Sequence, residues 1–221
     1  MTVAGSNGTR ALILTGGGAR AAYQIGALLA INRLRGKSKR NPFPIICGTS
    51  AGAINAVGLA CQADNFRQAT GSLNTFWRHM RTADIYRVDA ASVAAAGARW
   101  LAALSTGWLT WRAPRSLLDT APRASLLKRR IDFPGIERSI ESRALRALNI
   151  TVSGYDSGES INFFQALPEV LPWQRSQRLG LRTTLGTEHL LASSAIPFIF
   201  PAVRIHREYF GDGSMRQFAP L

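Results

Sequence analysis

Gly48-Thr49-Ser50-Ala51-Gly52 follows directly on the apolar run Ile45-Ile46-Cys47. A G-x-S-x-G pattern in that setting reads as a nucleophile elbow. A strand delivers the chain into a tight turn, the flanking glycines Gly48 and Gly52 remove side chains that would clash there, and a helix follows. The turn leaves the Ser50 hydroxyl at the carboxyl end of the strand, with a helix N-terminus beneath it. Strand, turn and helix are thus set by a few residues.

A second motif lies upstream. Ala11-Leu12-Ile13-Leu14 reads as a buried strand running into Thr15-Gly16-Gly17-Gly18-Ala19-Arg20, and Tyr23, Ile25, Leu28, Leu29 and Ile31 then recur at helical spacing. Glycines at such a turn expose backbone N–H groups at the positive end of a helix, where they can hold a phosphate or the oxyanion of a tetrahedral intermediate. The competing reading is a dinucleotide fingerprint, or a nucleotide-binding loop using Gly16–Gly18. That fingerprint fails at its last glycine, where Ala21 stands. It also lacks the acidic residue about twenty positions on, since Arg33 to Arg40 is basic. The third motif is Gly211-Asp212-Gly213, which alone would pass for a hairpin turn.

Taken in this order, the three motifs resemble the patatin-like phospholipase family. That family carries a glycine-rich oxyanion loop near its start, then a G-x-S-x-G nucleophile, and a late Asp-Gly. The stretch Ala192-Ser193-Ser194-Ala195-Ile196-Pro197-Phe198-Ile199-Phe200-Pro201 is similar to the family segment leading to its aspartate. The resemblance runs from Leu12 to Asp212 and is loose in the middle third. Ala21 departs from the last glycine of the loop, and Ser214 from the Gly or Ala that often follows Asp-Gly; neither removes a reacting group. What the resemblance implies is a three-layer α/β/α fold with a mostly parallel sheet, and a dyad of Ser50 as nucleophile and Asp212 as base. It also implies an oxyanion hole at Gly17, Gly18 and Ala19, with Gly16, Arg20, Gly48, Gly52 and Gly213 completing the motifs. Arg20 would either contact a substrate phosphate or buttress its loop through a salt bridge. No cofactor and no metal is expected.

Chain order bears on dyad against triad. No histidine follows Asp212, whereas an ordinary α/β-hydrolase needs Ser, acid and His in that order. A triad would need His189 or His206 with an earlier acid such as Asp156 or Glu188. His79 lies too close to the nucleophile helix. All three histidines are therefore expected at surface or packing positions.

The chain has 221 residues, 46% of them hydrophobic, which suits one domain with a sizeable core. Strands are expected at 11–14, 44–47, 148–153, 161–165 and before Asp212; helices are expected at 20–35, 51–62, 66–80 and 187–194. Such alternation argues for a largely parallel sheet covered by helices. Residues 1–10 are expected to be frayed and lack the apolar core of a signal peptide. Cys47 and Cys61 are expected to be reduced core residues, which places the chain in the cytosol or facing it. Residues 89–146 read as a helical insert or cap, with Trp100, Trp108 and Trp111 among arginines. Packing over the sheet edge and contact with lipid both fit that composition.

The 27 basic against 13 acidic residues give a net charge of +14, which asks for a polyanionic partner. No nucleic-acid module is present, so an anionic membrane surface is favoured, although an arginine-rich genome composition gives the same number without function. The expectation is a membrane-associating hydrolase of phospholipid acyl esters; the alternative is a non-catalytic lipid- or polyanion-binding module. Asp212 also lies close to Leu221, where the resembled family has more chain. A longer parent protein or a covering subunit is therefore expected, and for a fragment a Ser50–Asp212 distance beyond a hydrogen bond.

Overall fold

The computed structural model describes residues 9–85, Ala98 and residues 121–217. β1 (Ala11–Leu14) leads through a one-turn 3-10 helix (Gly18–Arg20) into α1 (Ala21–Leu34), then β2 (Ile45–Thr49), α2 (Ala51–Ala60), α3 (Phe66–His79) and α4 (Thr82–Ile85). The second described stretch holds α5 (Ala121–Arg130), α6 (Pro134–Glu141), β3 (Ala147–Gly154), β4 (Ser160–Ala166), β5 (Trp173–Arg175) and β6 (Arg178–Arg182). α7 (Thr187–Ser193), β7 (Val203–Ile205), β8 (Glu208–Asp212) and a 3-10 turn (Gly213–Met215) complete it.

The eight strands among the described residues form one sheet in the order β1-β2-β3-β4-β6-β5, with β8 also on β3 and β7 on β8. β1, β2 and β3 run parallel, as do β4 and β6; the remaining pairs are antiparallel. The architecture is mixed α/β, a central sheet flanked by helices. The core follows from composition. Ile46, Leu148, Ile150 and Val152 of the central strands are fully buried beneath α2, whose Ala53, Ala56 and Val57 are also fully buried. Each branched side chain so buried contributes roughly 1.5–3 kcal/mol relative to exposure. A helix apolar on every side belongs inside, and α2 is that helix. Asn55, its one buried polar residue, ties three helices together. It donates to the Ala21 carbonyl at 3.0 Å and accepts from Trp77 Nε1 of α3 at 2.6 Å.

The expected strand and helix bounds hold to within a residue or two. The β5–β6 hairpin was not expected. The described part of the expected insert, residues 121–146, is helical in α5 and α6 and stops where β3 begins. Its tryptophans, and residues 1–8 and 218–221, lie outside the described residues. Among those described, no helix is long and apolar enough to cross a membrane.

Candidate active site

β3 has β4 along one whole edge and two strands end to end along the other. β2 covers Ala147 to Thr151, ending with Thr49 opposite Thr151; β8 covers Gly154 to Val152, ending with Asp212 opposite Val152. β2 and β8 run in opposite directions, so their carboxyl ends meet head to head. The residue after Thr49 is Ser50. Sheet register alone therefore brings Ser50 to Asp212, and the Ser50 hydroxyl donates to Asp212 Oδ2 at 2.7 Å. That is within a hydrogen bond, so the longer separation expected for a fragment is not observed.

Each partner is held from several sides. Ser50 has φ 56° and ψ −128°, a conformation a non-glycine residue adopts only under constraint. Its N–H donates to Ser193 Oγ at 2.9 Å, and that hydroxyl donates to the Thr151 carbonyl at 2.7 Å. Gly52 permits the close approach of α2 to β1, because a Cβ there would sit 2.1 Å from the Leu14 carbonyl oxygen. Gly48 is the β2 residue packed against α2, and Gly213 opens the 3-10 turn after Asp212. Asp212 accepts on Oδ1 from the Ser214 N–H at 2.8 Å, leaving Oδ2 for Ser50. Its N–H donates to the Ala195 carbonyl at 2.9 Å, and its own carbonyl accepts from Ser153 Oγ at 2.9 Å.

Gly16, Gly17 and Gly18 border the same cavity as Ser50 and Asp212. Gly18 has φ +56°, the left-handed region that favours glycine. The 3-10 turn starts there, so the N–H groups of Gly18 and Ala19 have no acceptor within it. Arg20 is exposed on the cavity wall, and among the described residues no carboxylate pairs with it.

Two cavities meet at Ser50, sharing Gly18, Ser50 and Ile196. The first, about 670 Å³, also takes in Thr15, Arg20, Gln24 and Ser214. The second, about 510 Å³, is walled by Ile54, Phe76, Trp77, Leu126, Leu127 and Phe200. Both are lined mainly by apolar surface, and both also carry arginines, Arg20 in the first and Arg81 and Arg123 in the second.

Two contributors escaped the sequence reading. Ser193 lies in the segment noted for its resemblance but carried no assigned role. Arg123, on α5, is buried; it donates to the Ser194 carbonyl at 3.1 Å and stacks 4.5 Å from the Phe200 ring. Burial lowers its pKa to about 10, with the negative charge of Asp212 acting the other way. Its signal in sequence is that of any arginine on a basic helix. The histidines stand as expected. His189 is buried edge-on to Phe163 and its Nδ1 accepts from the Gly186 N–H, so burial lowers its pKa. His206 sits in the turn between β7 and β8, and His79 caps the end of α3 on the surface.

A family model described as patatin-like phospholipase matches residues 12–221. No curated protein matches the chain. Among solved structures, VipD from Legionella pneumophila superposes with a TM-score of 0.50 at 12% identity, over 100% of this chain and 52% of that one. At that identity the likeness is one of fold, and this chain spans about half of the VipD chain. The match over residues 12–221 places the chain: it belongs to the patatin-like phospholipase family.

Proposed function

We propose that this chain is a serine acyl hydrolase cleaving fatty acyl esters of phospholipids, with Ser50 as nucleophile and Asp212 as general base. The observation that carries the reading is the 2.7 Å hydrogen bond between them at the junction of the two cavities. Family membership supports the lipid substrate class.

The ester's acyl chain would occupy the second cavity, along Ile54, Phe76 and Leu127, and its glycerophosphate the first, near Arg20. As Ser50 Oγ attacks the carbonyl carbon, its proton passes to Asp212 Oδ2. The oxygen that gains the negative charge is met by the N–H groups of Gly17, Gly18 and Ala19. Collapse of the intermediate breaks the ester bond, and the proton goes to the departing alkoxide. Water then attacks the acyl-serine with Asp212 again as base, releasing the fatty acid and regenerating Ser50. A carboxylate is a weak base for a hydroxyl. The fixed geometry and the oxyanion donors must therefore supply much of the rate.

Turnover of a p-nitrophenyl acyl ester and covalent labelling by a fluorophosphonate test this directly. Ser50→Ala should abolish labelling and lower turnover by at least about 10³-fold. Labelling that persists in the variant removes Ser50 as nucleophile.

A further inference from the structure

Three separate stretches of chain bring large apolar side chains into water around the mouth of the site. Tyr23, in the first turn of α1, is 84% exposed; Phe198 is 71% and Met215 53% exposed; Ile196 and Ile199 are partly so. Tyr23, Ile196 and Met215 border the first cavity, Ile196 also borders the second, and Phe198 and Ile199 continue the same loop. Phe198 has φ +66°, a backbone conformation that aromatic residues rarely adopt. Scattered exposed apolar residues need no explanation, but a contiguous group around a cavity mouth marks an interaction surface.

Charge identifies the occupant. The residues lining the two cavities include the exposed Arg20 and Arg81, while the one acid among them, Asp212, is buried against Ser50. The whole chain carries +14. Apolar side chains at a mouth flanked by cations fit a leaflet with acyl chains below and anionic headgroups above. Resting on the hydrolase reading above, we propose that the Tyr23–Ile196–Phe198–Ile199–Met215 rim docks on an anionic lipid bilayer and opens the site toward it. A lipid then passes from leaflet to cavity without its acyl chains crossing water.

Co-sedimentation with vesicles tests this, using Ser50→Ala protein so that binding is read without turnover. The protein should partition onto phosphatidylcholine–phosphatidylglycerol vesicles and less onto phosphatidylcholine alone. Phe198→Asn with Ile199→Thr should lower that partitioning by about tenfold or more. Asparagine suits the left-handed backbone at 198. With Ser50 intact, the same pair should keep p-nitrophenyl butyrate turnover within about twofold and lose turnover of vesicle lipid. If the pair impairs the short ester too, Ile199→Thr alone is read by the same criteria. Undiminished vesicle binding by the variant overturns the proposal. So does protein that stays in solution with both vesicle types, which would assign the rim to a protein partner. Rim-dependent binding without any ester turnover would sustain docking and refute the hydrolase reading instead.

Discussion

Asp212 divides its carboxylate between two donors, the Ser214 N–H on Oδ1 and the Ser50 hydroxyl on Oδ2. Asparagine can keep the first bond, but it turns an amide N–H toward Ser50 and cannot take a proton. Asp212→Asn should therefore lower kcat by about 10³-fold or more with the fold intact, a separation that kinetics and circular dichroism together would check. His189→Gln makes the contrast. It disturbs a buried packing position and the Gly186 N–H bond, so it should cost about 1 kcal/mol of stability and leave kcat within about threefold. Equal damage from both would reinstate a histidine base. Ser50 and Asp212 were legible in the sequence because each sits inside its own short motif. Ser193 and Arg123 were not, since neither residue type marks a motif of its own and their roles emerge only from the contacts they make with Ser50 and Ser194.

Arg123 also shows how one element acts on another. Its guanidinium fixes the Ser194 carbonyl, while the residues on either side hold Ser50 and Asp212: Ser193 Oγ accepts from the Ser50 N–H, and the Ala195 carbonyl accepts from the Asp212 N–H. α5 is thus fastened to the turn that positions both Ser50 and Asp212. Lysine keeps the charge but loses the planar stack on Phe200. We expect Arg123→Lys to lower kcat on a short ester by about tenfold with KM within about twofold, and Arg123→Met to lower it further. A change confined to KM would make Arg123 a cavity wall and nothing more. The elements around it were legible to different degrees. β2, α1 and α2 announce themselves by apolar runs and periodicity. The β5–β6 hairpin does not, because Trp173, Gln174 and Arg175 are all solvent-facing and its ladder is completed by β4. The burial of Arg123 on α5 was not legible, since it is one of many arginines in that stretch of sequence.

At the scale of the whole molecule, the alternation of strands and helices pointed to a largely parallel sheet covered by helices, whereas the antiparallel return of β8 onto β3 depends on pairing distant in sequence. The two cysteines are free, as their apolar settings suggested. They also couple the core to pH. Burial pushes the Cys61 thiol up to about 12, with Asp132 nearby acting in the same direction, and burial raises Cys47 as well. An unfolded thiol with the reference value of 9.0 gives up its proton well before the folded Cys61 does. Between those pH values the unfolded chain binds fewer protons, so stability falls as pH rises. The contribution is intact below about pH 9 and is lost toward pH 12, at up to about 1.4 kcal/mol per pH unit. Urea unfolding at pH 7 and at about pH 10.5 should therefore show wild type losing about 2 kcal/mol more than Cys61→Ala over that interval. The comparison cancels the repulsion among the many basic side chains, which both proteins share. Equal losses would mean that Cys61 ionises in the folded protein as readily as in water, and that the end of α2 admits solvent.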